Sequence, residues 1–160
     1  MSDALLVILM GSKADAAHCQ KIVEAAQPFG LEVLQRVGSA HKTPAHLLKL
    51  LAEYENGGRP VVYITVAGRS NALSGFVDGA VSAPVIACPP PGEAFGGADI
   101  YSSLRMPSGI APALVLEPAN AALCAAKILA VHDPALRERV KAFQQQQAQK
   151  VINDDANQNV

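Results

Sequence analysis

His41 and Lys42 stand side by side in Ser39-Ala40-His41-Lys42-Thr43-Pro44, between an apolar-patterned run over 31–37 and a helical pattern that begins at Ala45. A histidine exchanges protons near neutral pH, and a lysine is a fixed cation. Thr43 and Pro44 form an N-cap and N1 pair, so the helix behind the turn would aim free N–H groups at an anion. The chemistry this suggests is acid–base work on an anionic small molecule.

Two further turns carry polar residues in similar settings. Gly11-Ser12-Lys13-Ala14-Asp15 follows the first apolar run. It reads either as a capping box, with Ser12 at N-cap and Asp15 in place of the usual Glu or Gln, or as a phosphate or sugar-hydroxyl site that Gly11 lets the ligand approach. Its spacing is neither that of a Walker loop nor that of a dinucleotide fingerprint. Ala67-Gly68-Arg69-Ser70-Asn71 ends another apolar run. It offers a charge and hydrogen-bonding groups, or else a helix start capped by Ser70. His18, His46 and His132 fall within or at the ends of helical patterns and read as structural. Cys19, Cys88 and Cys124 are widely spaced and lack Cys-x-x-Cys, which indicates neither disulfides nor a thiolate metal site.

The elements that must hold these turns alternate along the chain. Apolar runs at 4–10, 31–37, 60–67, 84–87 and 111–116 read as five strands. Helical patterns cover 13–29, 44–56, a short stretch through Phe76, 119–131 and 134–151. Residues 88–98, with Pro89-Pro90-Pro91-Gly92, read as a loop too irregular for an element and suited to covering a site. Such alternation predicts a doubly wound α/β domain with a mostly parallel sheet. Right-handed crossovers then bring all the polar turns to one edge. The last helix is polar, with Gln144-Gln145-Gln146-Gln147 at its middle, and docking on a neighbouring subunit suits it better than packing on the sheet. Residues 153–160 read as frayed.

At 160 residues, the chain reads as one domain with core 4–132 and a helix over 134–152. A net charge of −1 argues against nucleic acid as a partner. No apolar run approaches the roughly 20 residues of a membrane span, and Met1-Ser2-Asp3-Ala4 lacks a basic leader region. The expected location is the cytoplasm.

Taken together, Gly11-Ser12-x-x-Asp15, Ser39-Ala40-His41-Lys42-Thr43-Pro44, Ala67-Gly68-Arg69-Ser70-Asn71 and Met106-Pro107-x-Gly109 resemble the aminoimidazole ribonucleotide carboxylase/mutase family of purine biosynthesis. The resemblance covers about residues 4–132. It implies a three-layer, flavodoxin-like domain that associates into tetramers or octamers with active sites at subunit contacts. One branch of the family moves a carboxylate from the exocyclic nitrogen of N5-carboxyaminoimidazole ribonucleotide to ring carbon 4; the other carboxylates aminoimidazole ribonucleotide with carbon dioxide. Lys42 stands where the mutase branch typically has Arg, Ala72 where it has a second His, and Ser74 where it has Pro. These positions, with Cys88-Pro89-Pro90 and Ser102-Ser103-Leu104-Arg105, are similar to the carbon-dioxide-using branch. Ala14 departs from the Ser that many members carry.

The resemblance implies His41 as the acid/base for the carbon-4 proton. It implies Ser12, Ser39 and Lys42 around the nucleotide phosphate, and Asp15 on the ribose or exocyclic amine. Gly68 and Ser70 would border the carbon dioxide pocket, with Arg69 facing the nascent carboxylate. It implies no cofactor: no metal, biotin or ATP. A nucleotide-binding regulatory protein with the same pocket and no turnover is the reading from another class.

Overall fold

The computed structural model describes residues 3–158, with five strands and six α-helices among them. The strands are β1 (Leu5–Met10), β2 (Glu32–Val37), β3 (Val61–Val66), β4 (Val85–Ala87) and β5 (Ala113–Leu114). The helices are α1 (Ala16–Ala26), α2 (Pro44–Glu55), α3 (Leu73–Asp78), α4 (Tyr101–Leu104), α5 (Pro118–Leu129) and α6 (Pro134–Gln158). The sheet order is β2-β1-β3-β4-β5 and every pairing is parallel. The predicted sheet was mostly parallel; it is wholly so.

The continuous apolar run of β1, and that of β3 broken only by the buried Thr65, follow from burial on both faces. Leu6, Ile8 and Met10, with Val62, Ile64 and Val66, pack against Cys19, Ile22 and Ala26 of α1 and the alanines of α5. Leu5, Val7 and Leu9, with Tyr63, meet Leu47 and Leu51 of α2 and Leu73 and Val77 of α3. The period-2 alternation of side chains divides one strand between two cores, which makes three layers. Among the described residues, no helix is long and apolar enough to cross a membrane.

Three expectations are corrected. Residues 111–116 pair only over Ala113–Leu114. Pro112 has no N–H to donate, and Ala111 N–H goes to Asp78 Oδ2 at 2.7 Å, which leaves little ladder to form. The 88–98 stretch is not wholly irregular: a 3-10 helix over Ala94–Ile100 leads directly into α4. The final helix continues to Gln158, through most of the stretch expected to fray, and residues 159–160 lie outside the described residues. Its first turns also pack on this chain's own core. Leu136 and Val140 are buried, Phe143 meets Phe29 edge-to-face at 5.2 Å, and Arg139 Nε donates to Phe29 O at 2.7 Å. Residues 144–158 are exposed.

Candidate functional site

The carboxyl ends of the strands gather the polar turns. Gly11 N–H donates to Val66 O at 2.9 Å, Gly38 N–H to Met10 O at 3.0 Å, and Cys88 N–H to Thr65 O at 2.9 Å. A Cβ on Gly11 would lie 3.3 Å from Ala67 Cβ, so this glycine lets the turns after β1 and β3 touch. In a 2-1-3-4-5 sheet, β1 and β3 flank the point where the winding reverses and a crevice opens.

In the β1 turn, Ser12 Oγ accepts from Ala14 N–H at 3.2 Å, so Ser12 caps the short 3-10 helix Lys13–Asp15. Burial pushes the Asp15 carboxyl above its ordinary value, opposed by His18, the Ser12 backbone and the positive Arg69. In the β2 turn, Thr43 occupies the N-cap position of α2 but makes no side-chain cap bond. Its Oγ1 reaches back instead, accepting from Ser39 N–H at 3.0 Å, while Ser39 Oγ accepts from Lys42 N–H at 3.2 Å. The expected Thr43 cap is therefore a loop staple. His41 and Lys42 are exposed at its tip.

The β3 turn is built on Asn71, which the sequence offered as a hydrogen-bonding group of the crevice and not as the cap of the following helix. Asn71 is buried, and its Oδ1 accepts from Leu73 N–H at 3.1 Å and Ser74 N–H at 3.4 Å. Asn71, and not Ser70, thus caps α3. Its Nδ2 donates to Ser103 Oγ at 2.8 Å and Ser74 Oγ at 3.3 Å, which ties the turn to α4.

A cavity of about 490 Å³ opens between the β3 turn, the Pro89–Gly92 segment and α1, with Gly68, Arg69, Pro90, Asp99, His18 and Glu117 on its wall. Of the predicted site residues, it takes only Gly68 and Arg69. Ser12, Asp15, Ser39, His41, Lys42 and Ser70 occupy the turns of the same edge outside that wall.

His18 was read as structural, yet it lines this cavity from the first turn of α1, three residues after Asp15, the N-cap of that helix. That i, i+3 spacing was the available signal. Its Nε2 lies 3.5 Å from Cys88 Sγ, and the Cys88 thiol donates to Leu116 O at 3.5 Å. Burial pushes the thiols of Cys19 and Cys88 up to about 12, so both are neutral.

Burial also lowers the His18 pKa from 6.5, with the Cys88 backbone opposing. The unfolded chain therefore takes up a proton that folded His18 resists. Stability should be full above about pH 6.5 and fall as pH drops toward the lowered folded value. Asp15 acts oppositely, its burial penalty easing as pH falls toward its ordinary 3.8. Thermal melts between about pH 7.5 and 5 should show an acid limb that His18→Gln flattens. An unchanged limb in that variant would remove His18 as its source.

A wholly parallel 2-1-3-4-5 sheet with polar turns and a cavity at its carboxyl edge defines a flavodoxin-like α/β protein, a class of fold whose ligands bind at that edge. Within that class the chain belongs to the AIR carboxylase family, whose model matches residues 5–150. It is 58% identical over 152 residues to a phosphoribosylaminoimidazole carboxylase of Treponema denticola, covering 95% of this chain and 96% of that one. A phosphoribosylaminoimidazole carboxylase of Archaeoglobus fulgidus is 53% identical, over 93% of this chain and 82% of that one. The crystal structure of Treponema denticola PurE superposes with a TM-score of 0.94 at 57% identity, over 96% of this chain and 98% of that chain. The chain is thus an enzyme of this family, and the relatives' names support a carboxylase of purine biosynthesis.

Proposed function

We propose that this enzyme adds carbon dioxide to carbon 4 of 5-aminoimidazole ribonucleotide, giving 4-carboxy-5-aminoimidazole ribonucleotide on the route to IMP, as a cytoplasmic carboxy-lyase that uses neither ATP nor biotin. The observation that carries this reading is the β3 turn. Asn71 and Ser74 are locked into a buried hydrogen-bonded net with Ser103, and Ala72 offers no second imidazole where the mutase branch has one. A Lys beside His41 points the same way.

The exocyclic amine pushes electron density through the ring, and carbon 4 attacks the carbon dioxide carbon. A carbon–carbon bond forms, and one C=O π pair becomes the second carboxylate oxygen's charge. Arg69 offsets that developing charge. His41 then takes the carbon-4 proton, and the electron pair of that bond restores the ring. Lys42, Ser12 and Ser39 hold the phosphate, with Lys42 acting as a point charge where Arg would be bidentate. The first N–H groups of α2, which Thr43 does not cap, add to that anion site. Asp15 takes the ribose or the exocyclic amine, and Gly68 and Ser70 border the carbon dioxide. The exposed end of α6 docks on a neighbouring subunit in a tetramer or octamer.

The test is product formation from aminoimidazole ribonucleotide and bicarbonate, with ATP and the companion synthetase left out. Formation of the 4-carboxylated nucleotide is expected. If only the N5-carboxylated nucleotide reacts, the enzyme is a mutase.

A further inference from the structure

Among the described residues, Arg69 is the one non-glycine residue with positive φ, at 59°. Side chains of L-residues disfavour that region, and such strain persists only where the surroundings over-determine it. Here the surroundings come from far along the chain. Arg69 N–H donates to Asp99 Oδ2 at 3.0 Å. Ser102 Oγ lies 3.2 Å from Arg69 O and 2.7 Å from Asp99 O, so its hydroxyl hydrogen is shared between them, and it accepts from Asn71 N–H at 2.9 Å.

The Asp99 carboxylate has a seat of its own. A Cβ on Gly92 would come within 2.5 Å of Oδ2 and 2.9 Å of Oδ1, so only glycine at 92 leaves room for the carboxylate to rest there. The seat, the carboxylate and Arg69 all line the cavity. Behind them the segment after α4 packs closely on α3. Met106 Sδ and Ile110 Cδ1 each lie 3.0 Å from where a Cβ would stand on Gly75 and Gly79 of α3.

We propose that Asp99 is a positioning residue for the reaction: seated on Gly92, its carboxylate holds the Arg69 peptide in the left-handed conformation and so fixes where the guanidinium and Ser70 stand. Asp99 need not touch the substrate. It acts through Arg69, whose work is in the transition state, so losing it affects turnover more than nucleotide binding. The kinetic part of this inference rests on the carboxylase reading; the conformational part does not.

The experiment compares wild type with Asp99→Ala, Asp99→Asn, Gly92→Ala and the Asp99→Ala/Gly92→Ala double variant. Two readouts are taken: kinetics with aminoimidazole ribonucleotide and bicarbonate, and hydrogen exchange at the Arg69 amide. Asp99→Ala should lower kcat by about tenfold or more with KM for the nucleotide within about twofold. It should also speed Arg69 exchange by about tenfold. Asp99→Asn keeps an oxygen that accepts the Arg69 N–H and should recover most of both. Gly92→Ala, which pushes the carboxylate off its seat, should reproduce Asp99→Ala, and the double variant should be no worse than either single one.

The proposal is overturned if Asp99→Ala leaves kcat and exchange at wild-type values. It is equally overturned if Asn is as damaging as Ala, or if the double variant shows the product of the two single losses. A wild-type enzyme that does not carboxylate the nucleotide sinks the carboxylase reading instead. The exchange comparison alone then decides whether Asp99 holds Arg69.

Discussion

Replacing His41 by Asn is expected to lower turnover by about 10²–10⁴-fold, the range a positioned acid/base supplies, while nucleotide affinity stays within about threefold. The separation follows from how the turn is built. Its shape comes from Ser39 and Thr43, which exchange backbone and hydroxyl bonds around the residues between them. His41 is exposed and forms none of those shaping bonds, so Asn changes the proton-transfer group and leaves its scaffold standing. Steady-state turnover and calorimetric binding of the nucleotide, measured on the same preparation, check this. A variant retaining more than about a tenth of the parent kcat would mean that another group removes the carbon-4 proton. A wild-type chain that binds nucleotide yet turns over neither substrate would favour the regulatory reading.

Legibility in the sequence followed how local each determinant is. β1 and β3 were plain because a strand buried on both faces is built of apolar and β-branched residues; β1 is wholly apolar and β3 departs from that only at the buried Thr65. The turns after β1, β2 and β3 were plain for a similar reason. Gly11, Gly38 and Gly68 mark strand ends, and the polar residues beside them have few other uses there. β5 was over-extended because its limits are set by Asp78, which takes the Ala111 N–H from another element. The 94–100 helix was hidden by Gly96 and Gly97, both at positive φ, which punctuate a loop by composition alone. Its course depends on Asp99 reaching Arg69 and Gly92, contacts that no local window contains.

α6 shows a different limit. Its overall polarity concealed Leu136, Val140 and Phe143, an i, i+4, i+7 stripe confined to the first turns. His18 was missed because a histidine within an amphipathic helix looks like packing. Only the topology, which lays α1 beside the turn after β4, turns it toward the cavity.

The largest structural effect is expected from Asn71→Ala, at about 2–4 kcal/mol of folding stability. Asn71 is 4% exposed, and one amide serves four partners. Its oxygen satisfies two N–H groups at the start of α3, and its nitrogen satisfies the hydroxyls of Ser74 and Ser103. Alanine removes all four bonds at once in a place with no easy access for water, and each group left unpaired there costs about 1–3 kcal/mol. The losses are not additive, because neighbouring hydroxyls re-pair in part. Asn71→Asp keeps the acceptor for both N–H groups and leaves two hydroxyls able to donate to it. It should fall between wild type and Ala, limited by the cost of burying its charge. Ser103→Ala removes one partner and should cost only about 1 kcal/mol. Urea unfolding midpoints at constant slope measure the series. A loss below about 1 kcal/mol for Asn71→Ala would mean that the net is not what holds this turn. The order wild type, Asp, Ala follows if the bonds a carboxylate can still accept from α3 and α4 outweigh the cost of burying its charge. An inverted order, with Asp the worst, would show that desolvation of the charge dominates.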